Sequence, residues 1–154
     1  MRFLTAVALA LVMLWVPVEG VAQFRDPLKG VTSVDPSMLI TWDDRITLKT
    51  ESQFRRESED ALELGLLRAG LKVDSSASNF LDCGVVLLSR DGNTIAYAWR
   101  LDFRELVTLG SMQQWADTWS TGGVQTMGVS NLDGATLGET CAEAFELRWR
   151  RDNN

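Results

Sequence analysis

The stretch Cys83–Trp99, CGVVLLSRDGNTIAYAW, decides the fold of this 154-residue chain. It reads as two β-strands meeting at Asp91-Gly92, a dipeptide typical of tight hairpins. Side chains alternate across a strand, so the length of the connecting loop decides which face of the sheet Cys83 occupies. A two-residue loop Asp91-Gly92 pairs Arg90 with Asn93 and sets Cys83 opposite Arg100, on a polar face. A three-residue loop Arg90-Asp91-Gly92, with Gly92 left-handed, pairs Ser89 with Asn93 and sets Cys83 opposite Trp99, on the core face.

The face assignment comes from the second strand, Thr94 to about Leu109. Ile95, Tyr97, Trp99, Leu101 and Phe103 line one side, and Thr94, Ala96, Ala98, Arg100, Asp102 and Arg104 line the other. The first side is core. The first strand, Asn79–Ser89, is apolar on both sides, which suits a central place in the sheet.

Working outward, residues 50–69 carry a helical period, with Phe54, Ser58, Ala61, Leu62, Gly65, Leu66 and Ala69 on one face. Thr50 and Gln53 have capping-box spacing, and Gly70 supplies a left-handed stop. Leu71–Val73 is a short extended piece before a serine-rich loop. Upstream, Met38–Trp42 and Arg45–Lys49 read as strand, broken at Asp43-Asp44, and residues 23–37 as an irregular arm. Residues 112–123 fit both a helical and a strand template; the short helical run and the trailing Gly122-Gly123 favour strand. A loop runs from there to Ala135. A second helix follows, with Thr136 and Glu139 at capping-box spacing and Leu137, Cys141, Ala144, Phe145 and the stem of Arg148 on one face. The expected architecture is α+β, an antiparallel sheet of about four to five strands with two helices on one face, in the order β-α-β-β-β-α. Residues 38–154 form its single domain.

Residues 1–22 have the form of a secretory signal peptide. Arg2 precedes an apolar run of about 14 residues, short of the about 20 a membrane span needs, and Gly20-Val21-Ala22 is a small-residue cleavage site. Cleavage after Ala22 places the chain in a periplasmic or secreted compartment. Two cysteines in such a chain most simply form one disulfide. A Cys83–Cys141 bridge closes a loop of about 58 residues, worth about 4 kcal/mol in the chain-entropy account. Cys141 lies on a buried helix stripe, so the bridge requires the three-residue loop.

The net charge is −6 and there is no histidine. An acidic chain without a basic run has no footprint for nucleic acid or for anionic lipid; Arg148, Arg150 and Arg151 close a helix, where cations complement the dipole. Without histidine, and with no second cysteine beside either one, thiol catalysis and a metal site lack their partners. Asp43-Asp44, Asp91-Gly92-Asn93 and Asn131–Gly134 read as turns rather than as a carboxylate dyad or calcium loops. No catalytic constellation and no cofactor motif is present. Trp42, Trp99, Trp115, Trp119 and Trp149 read mainly as core, with Trp115 and Trp119 the candidates for ligand stacking. Val86, Leu88, Ala96 and Ala98 share the face away from the helices, an apolar patch suited to a partner.

The run Ala61–Val73, the glycine-turned hairpin, Thr118–Gly123 and the closing helix resemble a group of small uncharacterised secreted bacterial proteins over residues 38–150. The helix-glycine-strand unit is similar to envelope domains such as the amino-terminal domain of TolB and the lipoprotein activators of cell-wall synthases. The chain departs from these in lacking a lipid-attachment cysteine and an attached propeller. The resemblance implies a docking module rather than an enzyme. The expected function is therefore a non-enzymatic envelope protein-binding module, partnered by an envelope protein or by itself. The alternative is a small-ligand carrier with a tryptophan-lined pocket between sheet and helix.

Overall fold

A computed structural model of the chain describes residues 26–46 and 51–154. The expected signal peptide with its expected cleavage site after Ala22, and most of the strand expected over Arg45–Lys49, lie outside the described residues. The element order is β1 (Ser33–Trp42), α1 (Glu51–Ala69), β2 (Lys72–Val73), β3 (Asn79–Ser89), β4 (Thr94–Leu109), β5 (Met112–Gly128), a short 3-10 turn and α2 (Gly134–Asn153). One five-stranded sheet has the spatial order β2-β1-β3-β4-β5. This is the expected α+β class. The sheet is mixed, however: β1 pairs parallel with both β2 and β3, while β3-β4 and β4-β5 are antiparallel. A 19-residue helix separates β1 from β2, and a crossover of that kind is what parallel neighbours require.

The hairpin settles the orientation of Cys83. Ser89 pairs with Ile95, and the Arg90 N–H donates to the Thr94 carbonyl at 2.9 Å, so the loop is Asp91-Gly92-Asn93. It has three residues, as the disulfide requires, but starts one residue later than expected, so Cys83 stands opposite Leu101 rather than Trp99. Asp91 makes the choice: its Oδ1 accepts from the N–H groups of Asn93 and Thr94 at 3.1 and 2.8 Å, and Gly92 takes φ +79°. Moving a register by two residues keeps every side chain on its face. Cys83 is buried and is joined to Cys141, with the Cα atoms 6.3 Å apart.

Both helices pack on the inner face, over Ile40, Leu81, Val85, Leu87, Ile95, Leu101 and Phe103. Helix α1 ends as its sequence requires. Gly70 has φ +96°, the Gly70 N–H reaches the Leu67 carbonyl, and the Leu71 N–H reaches the Leu66 carbonyl, a Schellman closure. The cap of α2 is Asp133, not Thr136: its carboxylate accepts from the Thr136 N–H at 2.7 Å. Gly134, Gly138 and Ala142 of α2 lie against α1, an approach that larger residues at the two glycines would prevent.

The arm expected over residues 23–37 is in part structured. Strand β1 begins at Ser33, and the turn before it is held by the end of α2. The Leu28 N–H donates to Asp152 at 3.2 Å, the Gly30 N–H to Asn153 at 2.8 Å, and the Trp149 indole N–H to the Val31 carbonyl at 2.8 Å. Leu28 is fully buried. Asp43-Asp44 opens a turn, with the Ile46 N–H bonded to the Asp43 carbonyl at 2.8 Å. The arginines at the end of α2 pair with carboxylates, Arg148 and Arg151 with Asp152 and Arg150 with Glu146.

Candidate functional site

Among the described residues the outer face of the sheet carries no helix, and strands β1, β3, β4 and β5 set side chains in rows that can be read from the register. The first row is Ser37, Asp82, Asp102 and Ser120; the second Leu39, Gly84, Arg100 and Gly122; the third Thr41, Val86, Ala98 and Val124; the fourth Leu88, Ala96 and Thr126. The first row is polar. Asp82 and Asp102 face each other directly, an unfavourable like-charge pair that two arginines offset. Arg104 pairs with Asp82, and the Arg100 Nε donates to Asp102 at 2.8 Å.

The remaining rows, apart from Arg100, Thr41 and Thr126, are apolar and ridged. Leu39, Val86, Leu88 and Val124 are 66, 44, 52 and 73% exposed. Between them Gly84, Ala96, Ala98 and Gly122 leave the backbone low, so shallow grooves cross the strands. One, of about 230 Å³, runs between Leu39, Thr41, Gly84, Val86 and Ala98. A second, of about 510 Å³, continues over Ala98, Arg100, Gly122 and Val124. Val86 and Leu88 stand directly opposite Ala98 and Ala96, so the four residues expected to share a patch are brought together. Leu39, Gly84, Gly122 and Val124 belong to the same surface. Gly84 follows from the β3-β4 hairpin, but placing Leu39 requires the parallel β1-β3 register and placing Gly122 and Val124 the β4-β5 register.

Trp115 and Trp119 are not brought together. A bulge in β5 leaves Thr118 unpaired, so Trp119 pairs with Phe103 on the inner face while Asp117 and Trp115 pair with Arg104 and Leu106. Without the bulge, simple alternation would put all three odd-numbered residues on one side. The Trp119 ring packs edge-on against Phe145 at 6.0 Å, and the Trp115 ring against Phe80 on the outer face at 4.8 Å. Trp42 and Trp149 are half-buried beside the core, as is Trp99, whose indole lies over the bare backbone of Gly123.

Among the described residues no three His, Cys, Asp or Glu side chains group as a metal site. The displaced titrations belong to turns. The Arg45 guanidinium and N–H lower Asp43 from 3.8 to about 2, and the Asn93 and Thr94 N–H groups lower Asp91. What the outer face offers a ligand is apolar area, open grooves and a paired-charge border, a chemistry of contact.

No protein family and no curated protein matches the chain. Among solved structures, it is similar at 12% identity to a PelC dodecamer from Paraburkholderia phytofirmans, over 78% of this chain and 87% of that chain, with a TM-score of 0.46. A minor lipoprotein from Acinetobacter baumannii is 8% identical over 79 and 95% of the two chains, with a TM-score of 0.32. Rare lipoprotein B from Shewanella oneidensis is 10% identical over 77 and 88%, with a TM-score of 0.26. At these identities no residue's role passes from those proteins to this chain.

Proposed function

We propose that this chain is a non-enzymatic protein-binding module of an extracytoplasmic space, and that an envelope protein seats on the outer face of its sheet. The observation that carries this reading is the apolar surface of Leu39, Val86, Leu88 and Val124, exposed in rows that no element among the described residues covers. A surface of this kind, bordered by charged residues, is the usual form of a protein interaction site. The Cys83–Cys141 bridge, a cross-link that oxidising spaces form and keep, supports this compartment, as does the signal peptide expected over residues 1–22.

The test is capture in intact cells. A photo-crosslinking residue in place of Val86 is expected to trap one protein partner, and the same residue in place of Glu63 on α1 is not. Leu39→Asp combined with Val86→Asp is expected to abolish capture while leaving the fold intact. The proposal is overturned if the purified protein is free of partners and carries a small molecule, or if the double variant binds as well as the parent.

A further inference from the structure

The two edges of the sheet are treated differently. Strand β2 closes one edge with only two residues, the first a lysine, which are common devices against edge-to-edge pairing. Strand β5 closes the other with 17 residues that include one charge, Asp117, and neither lysine nor proline. Its bulge at Thr118 is the one device of that kind it has. A long edge with so little charge is a template for another strand.

The side chains flanking this edge point the same way. Among the described residues, the two most exposed large hydrophobics are Leu147 of α2 and Val124 of β5, at 74 and 73%. Leu147 lies on the inner side of the edge, where it lines a groove with Trp119, Thr121 and Arg151, and Val124 lies on the outer side. A strand added to β5 would cover the flank of both. Glu143, Leu147 and Arg151 are spaced at i, i+4 and i+8 along α2, so they form one row whose two ends carry opposite charge.

We infer that β5 pairs antiparallel with β5 of a second copy about a two-fold axis, joining two five-stranded sheets into one. The inference is independent of the outer-face reading. A two-fold axis reverses the second copy's α2, so with Leu147 at the centre of the row Glu143 meets the partner's Arg151 at both ends. An isologous contact must be self-complementary in this way. Ser120, Thr121 and Thr126 also suit cross-strand pairing with hydroxyl neighbours. A foreign strand would find the same backbone template, but nothing on it would answer the Glu143-Arg151 row twice over.

Sedimentation of the protein purified from an extracytoplasmic fraction tests this. The expected species is a dimer. Thr121→Lys and Leu147→Glu should each yield folded monomer by circular dichroism. Arg151→Glu should weaken association about tenfold, and adding Glu143→Arg should restore it, which a merely structural role for Arg151 does not predict. A monomeric parent protein at every concentration overturns the inference, as does a dimer indifferent to these variants. A monomer that takes up an extended peptide on β5 assigns the edge to a foreign strand and overturns it too. Val86→Asp should leave the dimer unchanged, which separates this result from the outer-face test.

Discussion

Gly138 of α2 rests on Ser58 of α1 so closely that a Cβ on the glycine would lie 2.1 Å from the Ser58 carbonyl oxygen and 2.8 Å from the Leu62 nitrogen. Gly138→Ala improves helix propensity by about 1 kcal/mol, but the clash is with backbone on both sides and cannot relax cheaply. The variant is expected to lose about 3 kcal/mol net, measured by urea denaturation.

Gly65 and Ala142 form the second close point, where a Cβ on Gly65 would sit 2.3 Å from the Ala142 Cβ. Here the obstacle is a methyl group that can be removed. Gly65→Ala alone should destabilise by about 2 kcal/mol, and Gly65→Ala with Ala142→Gly should recover most of that loss. Additive destabilisation in this double-mutant cycle would show that the two helices do not meet at this point.

The Cys83–Cys141 bridge ties β3 to the buried face of α2 across 58 residues. Replacing both cysteines with alanine should lower stability by about 4 kcal/mol, chiefly by freeing the unfolded chain. Mass spectrometry of the oxidised protein checks the bridge itself.

Asp152 holds the turn before β1, accepting from the Leu28 N–H at 3.2 Å and the Arg148 Nε at 2.9 Å, and it is buried. Asp152→Ala leaves that N–H without a partner and should cost about 2 kcal/mol. Amide exchange is expected to accelerate first at Leu28, Gly30 and Val31.

Acid should loosen the turn after β1. Asp43 is lowered from 3.8 to about 2 because its charged form is held by the side chain and N–H of Arg45. A carboxylate lowered on folding contributes stability that is fully present above about 4 and is lost as pH falls through about 2. Melting temperature followed from pH 5 to pH 2 should therefore drop less steeply in Asp43→Asn than in the parent. Equal slopes would remove Asp43 from the acid response.

Much of the fold was legible in local pattern. The two-faced strand Thr94–Leu109, the helical stripe from Phe54 to Ala69 stopped by Gly70, and the buried stripe through Cys141 each follow from a period and a turn residue. The outer patch of Val86, Leu88, Ala96 and Ala98 followed from parity, since any odd hairpin loop places those four together. The exact loop was harder, because registers two residues apart keep the same faces, and the choice fell to a side-chain bond from Asp91 to the next strand.

By itself, then, the sequence determined the α+β class, the faces of β4 and the two helices, because these depend on neighbours a few residues apart; with only two cysteines it also determined the disulfide pairing, and through it the face of each residue in β3. Only the tertiary structure decided that β1 runs parallel between β2 and β3, that a bulge sends Trp115 and Trp119 to opposite faces, and that β5 is a long edge which no other described strand pairs. Those features rest on pairings between distant segments, where backbone hydrogen bonds are available to any extended strand and packing against the shared core selects among them.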